Sequence, residues 1–202
     1  KQTYRSQGIA SFYIAEYLET NPLARLEWIK LFGVLMNKTA EANAYFEEVE
    51  NAYQSLKQPR TDSSETFILN LPFKESWHMP SANSLIVNLI QDAGLRYYYP
   101  PGGSTENDLH SKESVWNDGA YADYWIIMAS RPPEFSMNDL LAEEPVYKTF
   151  KAVKEQRVIF CNTATSGYFQ RGVVEPQVML KDLLLATGRL ADHTPVYFDL
   201  LK

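Results

Sequence analysis

The fold is decided by residues 66–94, TFILNLPFKESWHMPSANSLIVNLIQDAG. The stretch begins with a short apolar run, TFILNL, which is typical of a buried strand. It ends with an amphipathic pattern that has a serine before it and Gly94 after it, and these residues are typical helix caps. Residues 74–83 between them are interpreted as a loop. The stretch therefore predicts a strand, a loop and a helix, which together form one βα unit.

The same alternation continues to residue 201. Apolar runs predict strands at residues 66–71, 95–99, 122–129 and 157–162. Helical patterns predict helices at residues 84–94, 111–119, 136–144, 145–153, 175–188 and 194–201. Strands separated by helical segments indicate βα units and a mainly parallel sheet. The predicted fold class is α/β, with a Rossmann-like lobe.

Two helices are predicted before the first βα unit. Asn21 and Pro22 form a typical helix start, in which a capping side chain is followed by proline, and the apolar period extends to residue 36. A second amphipathic pattern covers residues 40–58. Residues 8–19, before both helices, are predicted as a strand that runs into a loop.

Composition excludes several classes of protein. The chain has 202 residues, a net charge of -6 and 45% hydrophobic residues, which is enough for one sizeable domain. No basic stripe is visible, so we expect no nucleic-acid partner. A single cysteine, Cys161, excludes an internal disulfide, and we expect it to be a buried strand residue. No apolar run approaches the roughly 20 residues of a membrane span.

The first candidate site is the loop that follows the first predicted strand. Ligands of open parallel sheets bind beyond the carboxyl ends of the strands, and this loop carries Trp77, His78 and Met79. Trp77 is predicted either to stack on a ligand or to pack locally against a neighbouring loop. His78 and Met79 also suggest a metal ligand, but the other histidines have no ligand spacing around them. We therefore expect no resident metal site.

The second candidate site follows the last predicted strand. Tyr168 and Phe169 lie there, with Arg171 close by in sequence. The two aromatic side chains either contact a ligand or cap the next helix. Arg171 is either a solvated charge or the partner of a carboxylate or phosphate on a ligand. Glu16 lies at the end of a predicted strand and is a further candidate for a cleft wall.

Motifs of common enzymes are absent from the sequence. There is no Gly-rich phosphate loop in strand–GxGxxG–helix order and no Walker lysine. There is also no G-x-S-x-G elbow. Cys161 is predicted within a strand, where an activated thiolate is not expected. The sequence therefore predicts a binding protein without a cofactor of its own, and not an enzyme.

Residues 19–53 carry a pattern, PL-x-R-x-EWIK followed by A-x-F and a later Glu and Tyr, that resembles a known family. The matching residues are Pro22, Leu23, Arg25, Glu27, Trp28, Ile29, Lys30, Ala44, Phe46, Glu50 and Tyr53. Further matches occur at Trp77, Pro80, Ser84, Leu89, Ile90, Asp92, Ala93, Gly94, Ser111, Glu113, Val115, Ala122, Asp123, Trp125, Ile126, Pro176 and residues 180–184. In order and spacing they resemble periplasmic substrate-binding proteins of ABC importers for iron complexes, haem and cobalamin, and they span nearly the whole chain.

The resemblance implies two α/β lobes joined by a rigid backbone helix, with the ligand between the lobes. It implies that residues 1–20 are the terminal strand of a first lobe that is otherwise missing from this chain. Residues 21–58 would be the backbone helix, at 22–36, and the helix that follows it. Residues 59–202 would be the second lobe. The implied ligand is a ferric siderophore, haem or cobalamin.

The resemblance also implies a partner and a location. Glu113 matches the surface glutamate with which the second lobe of such proteins meets arginines of the membrane permease. The alternative is that Glu113 only stabilises the positive end of its own helix. The implied protein is a monomer in the periplasm or cell envelope, and it would be lipid-anchored in its full-length form.

Two other functions remain open at the level of sequence. A free zinc or manganese binder of the same fold would need several His or carboxylate ligands, and only His78, with Glu16 as a partner, suits this role. A chelatase-like or nitrogenase-like subunit shares bridged α/β lobes. The absence of cysteines that could hold a cluster argues against the second alternative.

Overall fold

The computed structural model describes residues 6–8, 10–98 and 108–202. Its helices are α1 (Pro22–Leu35), α2 (Thr39–Leu56), α3 (Leu85–Asp92), α4 (Lys112–Gly119), α5 (Met137–Glu143), α6 (Lys151–Lys154) and α7 (Pro176–Ala186). Its strands are β1 (Thr66–Leu69), β2 (Ser76–Met79), β3 (Arg96–Tyr97), β4 (Asp108–Ser111), β5 (Tyr124–Ala129), β6 (Val158–Asn162) and β7 (Asp199–Leu200). Short 3-10 helices cover Glu16–Leu18 and Pro145–Thr149. Among these residues, no helix is long and apolar enough to cross a bilayer.

A five-stranded sheet in the order β3-β1-β5-β6-β7 forms the centre of the fold. The pairs among β3, β1, β5 and β6 are parallel, whereas β7 runs antiparallel to β6. The structure confirms the predicted α/β class with its mainly parallel sheet. Because the strands are parallel, the loops that follow β1, β5 and β6 emerge at one edge of the sheet, which we call the carboxyl edge.

Helices cover both faces of the sheet. In the sheet, β3 lies on one side of β1, whereas β5 and β6 lie on the other side. Connections between parallel strands are right-handed, so α3, which follows β1, covers one face of the sheet. Helices α4 and α6, which precede β5 and β6, cover the other face. Helices α1 and α7 pack against α3, and α2 packs against α1 and α7. The fold is therefore a three-layer lobe in which α1 and α2 thicken one layer.

The core beneath the carboxyl edge is aromatic. The ring of Trp125 on β5 lies 4.7 Å from that of Tyr147 and 5.1 Å from that of Phe150, measured between centroids. Its indole Nε1 donates to the carbonyl of Asn70, at a distance of 2.7 Å. Asn70 has a φ of 64°, a left-handed conformation that asparagine tolerates. This bond fixes the point at which the chain turns after β1.

Three predicted elements were wrong. The first is the strand at residues 8–19: among the described residues of this range the structure has no strand, and its only regular element is the 3-10 turn Glu16–Leu18. Residue 9, and residues 1–5 before it, lie outside the described residues. Phe12 and Tyr13, which the prediction made strand residues, are 55% and 66% exposed. A strand needs a neighbouring strand to satisfy its backbone groups, and no strand among the described residues pairs with this segment.

The second error is the closing helix at residues 194–201, which is instead an irregular segment followed by β7. The backbone N–H groups of Val196, Tyr197 and Phe198 donate to the carboxylate of Asp182 and are therefore unavailable for a helix. The third is the loop at 74–83, since Ser76–Met79 pairs antiparallel with Asp108–Ser111 as a two-stranded ribbon. This pairing joins segments that are distant in sequence.

Candidate functional site

The ribbon β2–β4 corrects the interpretation of Trp77. Its side chain is completely buried, and its Nε1 donates to the carbonyl of Leu69 at 2.8 Å. Its ring lies 6.0 Å from that of Trp125. Trp77 is therefore part of the core and presents no face to a ligand.

Strand alternation explains the positions of its neighbours. Met79 is 1% exposed and points to the same side as Trp77, so it too is a core residue and not a cleft residue. His78 lies between them and is exposed, opposite the exposed Leu109 of β4. Of the three candidate side chains in this loop, only His78 therefore remains accessible. No group of three or more His, Cys, Asp or Glu residues that could hold a metal occurs within the described ranges.

The loop after β5 forms a cavity at the carboxyl edge. Arg131 and Phe135 line a space of about 440 Å³. The guanidinium of Arg131 lies 5.5 Å from the centroid of Phe135, and its Nη2 lies 3.1 Å from Glu143. Its Nε is buried and has no hydrogen-bond partner. This cavity combines an aromatic face with an arginine that is paired with Glu143, and the carboxylates of Glu134 and Asp139 also line it.

Asn162, the last residue of β6, ties this loop to the next one. Its Nδ2 donates to the carbonyl of Arg131 at 2.9 Å, and its Oδ1 accepts from the backbone N–H of Ala164 at 3.1 Å. The loops after β5 and β6 are thus held side by side by one side chain. A rigid connection of this kind lowers the conformational entropy lost when the loops contact a ligand.

The two aromatic candidates in the loop after β6, residues 163–175, differ in their exposure. Tyr168 is 9% exposed, and burial raises the pKa of its phenol to about 12. Phe169, by contrast, is 66% exposed, and its ring packs edge-on against that of Tyr168 at 5.2 Å. Arg171 is also exposed. Tyr168 therefore supports the loop from below, whereas Phe169 and Arg171 are available to a ligand.

Glu16 does not end a strand, but it is still held in place. Its carboxylate lies 3.4 Å from Nη2 of Arg25 on α1, and both side chains are mostly buried. Arg25, Tyr168 and the first residues of α1, α3 and α7 line a small recess. The ion pair links the segment before α1 to this helix, and a role of Glu16 in ligand binding stays a prediction.

Glu113 lies in the first turn of α4, and its side chain is exposed. The helix is capped by Ser111, whose hydroxyl accepts from the N–H of Ser114 at 3.2 Å. The neighbouring Lys112 bridges Glu75 and Glu144, at 3.2 and 3.6 Å. Glu113 is thus displayed on a rigid and well-capped helix end.

Sequence reasoning missed Arg131, Phe135 and Asn162. The signal was present, because SRPPEF follows a strong strand just as the two chosen loops follow theirs. The loops of Trp77 and of Tyr168 and Phe169 are richer in aromatic residues. Aromatic content alone does not distinguish a buried tryptophan from an exposed one.

Comparison with known proteins identifies the family. Residues 1–165 match the family model described as periplasmic binding protein. The chain is 30% identical, over 184 residues, to the uncharacterized lipoprotein MJ0878 of Methanocaldococcus jannaschii, covering 87% of this chain and 42% of that relative. The chain thus spans less than half the length of that relative.

Solved structures show the same fold at low sequence identity. A periplasmic haem binding protein from Pseudomonas aeruginosa is 14% identical, with a TM-score of 0.70, and the match covers all of this chain and 72% of that one. A protein of an ABC-type Fe³⁺-hydroxamate transport system from Saccharomonospora viridis is 12% identical, with a TM-score of 0.61, over 82% of this chain and 56% of that one. With the match to the family model, the chain belongs to the periplasmic binding protein family.

Proposed function

We propose that this chain is the second lobe of an ABC-importer substrate-binding protein that carries a metal complex, either a ferric siderophore, haem or cobalamin. The observation that carries the proposal is the set of side chains at the carboxyl edge. Phe169 and Arg171 are exposed there, beside a cavity lined by Arg131 and Phe135. Aromatic faces and guanidinium groups suit a large, partly apolar complex that bears acidic groups.

Location and partner follow from the same proposal. Residues 21–58 would bridge this lobe to a first lobe, and the protein would act as a monomer at the cell envelope. The lipoprotein name of the methanogen relative supports a lipid anchor in the full-length protein. Glu113 would meet arginines of the permease. The ligand and the permease are the only partners in this proposal, which includes neither an enzymatic activity nor a cofactor.

The ligand is tested by titrating the full-length protein that contains this chain. The panel is haem, cobalamin, a ferric hydroxamate, a ferric catecholate, zinc and manganese, and the readout is quenching of tryptophan fluorescence. We expect saturable binding of one metal complex. A calorimetric response to zinc or manganese alone would instead support the free metal-ion alternative.

The site is tested by Phe169→Ala, with Tyr121→Ala as the matched control. Both aromatic side chains are similarly exposed, at 66% and 70%, but Tyr121 lies at the amino end of β5, opposite the carboxyl edge. Burying a phenylalanine ring in a complex contributes about 1.5–3 kcal/mol, so Phe169→Ala should raise the Kd roughly 10- to 100-fold. Equal Kd values for the two variants would contradict the proposed site.

The docking role is tested separately by Glu113→Ala. The variant should bind the complex with unchanged Kd, but it should support slower uptake in cells. Asp118→Asn, another exposed acid of α4, is the control for the loss of charge alone. Uptake that matches the wild type would remove the docking role while leaving the ligand proposal intact.

A further inference from the structure

Asp182 is the most deeply buried carboxylate among the described residues, and it accepts hydrogen bonds from one short segment. It lies in the middle of α7 and is completely buried. The backbone N–H groups of Tyr197 and Phe198 donate to Oδ2 at 2.6 and 3.1 Å, and that of Val196 donates at 3.2 Å. Nε2 of His193 lies 2.6 Å from Oδ1. The carboxylate therefore holds the whole segment 193–198 against α7.

A buried carboxylate is tolerated only when its oxygens are hydrogen-bonded. The carboxylate of Asp182 also fixes a segment of irregular backbone, because residues 194–198 lie outside any helix or strand. Without Asp182, the N–H groups of Val196, Tyr197 and Phe198 would be left without the acceptor that they use in this structure. The geometry of residues 193–198 thus depends on this one side chain.

The segment in turn contacts the loop that carries Phe169 and Arg171. The ring of Phe198, fully buried, packs edge-on against Tyr168 at 6.2 Å, and Tyr168 packs edge-on against Phe169. At the other end of the loop, the hydroxyl of Tyr197 donates to Glu175 at 2.5 Å. Residues 197 and 198 therefore support the loop 163–175 at two points.

We propose that Asp182, together with His193, is a positioning residue for the loop 163–175. It acts through Tyr197 and Phe198, and it sets the height and orientation at which Phe169 is presented at the carboxyl edge. The description of this loop as a ligand-contacting one rests on the proposed function. The mechanical coupling between Asp182 and the loop does not.

The coupling is tested by hydrogen–deuterium exchange of the loop 163–175 in His193→Leu and His193→Gln. Leucine removes the donor to Asp182, whereas the amide of glutamine can still donate to it. Tyr53→Phe is the matched control, because it deletes a partly buried hydrogen bond to Asp92, of 2.8 Å, remote in sequence from both segments. Asp182→Asn is a fourth variant. If Asp182→Asn does not fold, the two His193 variants still test the coupling between Asp182 and the loop.

We expect exchange of the loop amides to rise about tenfold in His193→Leu, in line with the loss of a hydrogen bond to a charged group. It should stay near the wild-type rate in His193→Gln and in Tyr53→Phe. Faster exchange confined to residues 193–201 would overturn the coupling, and so would an equal rise in the loop of the Tyr53→Phe control.

Affinity separates the positioning role from a purely structural one. For whichever metal complex of the panel the wild type binds, His193→Leu should raise the Kd several-fold and His193→Gln should restore it, whereas Tyr53→Phe should have no effect. An unchanged Kd in His193→Leu would overturn the positioning role. Absence of binding to every complex of the panel would instead count against the proposed function, and loop exchange would still decide the coupling.

Discussion

The indole of Trp77 holds the ribbon β2–β4 against the sheet through packing and through its hydrogen bond to Leu69. We therefore expect Trp77→Ala to lower the free energy of unfolding by about 3–5 kcal/mol, because it leaves a cavity and an unpaired carbonyl. Urea unfolding followed by circular dichroism measures this loss. Phe73→Ala, at a 68% exposed position of the adjoining turn, should change the stability by less than about 0.5 kcal/mol.

A comparable loss in both variants would contradict the core assignment of Trp77. The result also bears on ligand binding. Any decrease in affinity in Trp77→Ala is expected to follow from a displaced ribbon, since the indole has no exposed surface.

Asp123 joins the amino ends of the strands to α6. Burial alone raises the pKa of its carboxyl, but hydrogen bonds from Lys151 and Thr66 outweigh this effect and hold the pKa below its ordinary value. The distances are 2.6 Å to Nζ of Lys151 and 2.6 Å to the N–H of Thr66. A lowered pKa in the folded state means that the carboxylate stabilises the fold above its ordinary pKa of about 3.9. This contribution is lost as the pH falls through the folded-state pKa.

Asp123→Asn should therefore lower the free energy of unfolding by about 1–3 kcal/mol near neutral pH. The difference from the wild type should shrink as the pH falls below the ordinary aspartate pKa of about 3.9 and the wild-type carboxyl becomes protonated. Urea unfolding at neutral and at acidic pH measures it, with the exposed Asp118→Asn as control. If the difference in unfolding free energy between the variant and the wild type did not change with pH, the charge of Asp123 would not contribute to stability.

Cys161 on β6 is fully buried, and burial raises the pKa of its thiol to about 11. The thiol therefore stays protonated at neutral pH and out of reach of reagents. We expect no labelling by a thiol reagent in the native protein and complete labelling in denaturant. Rapid stoichiometric labelling under native conditions would contradict the position of Cys161 in the sheet.

At the scale of elements, the close crossing of α1 and α2 depends on Gly33. A Cβ atom at this position would lie 2.4 Å from Cβ of Ala42 and 3.0 Å from the carbonyl oxygen of Lys38. Gly33→Ala should therefore force the helices apart and lower the free energy of unfolding by about 1–3 kcal/mol, despite the higher helix propensity of alanine. Thermal unfolding measures the change.

Val34→Ala is the control for this crossing, because Val34 is the next residue of α1 and is 62% exposed. It should be nearly neutral. If Gly33→Ala raised the melting temperature, helix propensity would outweigh the crossing, and α1 could shift on α2 without a penalty.

Elements were predictable where their signals were local. The serines that precede the helical patterns at 111–119 and 136–144 mark where α4 and α5 begin: Ser111 caps α4, and Ser136 and Asp139 cap α5 with reciprocal bonds. Elements that depend on a distant partner were missed. In the ribbon β2–β4, Trp77 pairs with His110, and the residue pattern within either segment does not indicate this pairing.

At the scale of the whole molecule, α1 and α2 are bound to the α/β lobe by specific contacts. The hydroxyl of Tyr53 donates to Asp92 at 2.8 Å, and that of Tyr45 donates to the carbonyl of Val174 at 3.0 Å. Nδ2 of Asn88 donates to the carbonyl of Thr20 at 2.9 Å. These bonds join the helices to α3 and to the loop before α7, so residues 21–58 and 59–202 share one core.

We therefore expect residues 21–202 to unfold as one cooperative unit. Urea transitions followed by far-UV circular dichroism and by tryptophan emission should coincide, since Trp28 lies on α1 and Trp125 lies in the sheet. Two separate transitions, with Trp28 changing first, would instead make the helices an independent segment.

Sequence by itself determined the fold class, the two helices predicted at 22–36 and 40–58, the parallel strands and the loops that meet at the carboxyl edge. These features depend on local periodicity, capping residues and the geometry of parallel sheets, all of which can be read from neighbouring residues. The resemblance to periplasmic binding proteins was likewise carried by short motifs in order.

Tertiary structure alone decided which side chains of those loops face outward. Trp77 and Phe169 are both aromatic loop candidates in the sequence, yet one is buried and the other is 66% exposed. The difference arises because Trp77 lies on the inner face of a ribbon whose second strand comes about thirty residues later, whereas Phe169 packs on the outside of Tyr168, which in turn packs against Phe198. Exposure depends on long-range packing, which a local pattern of residues does not contain.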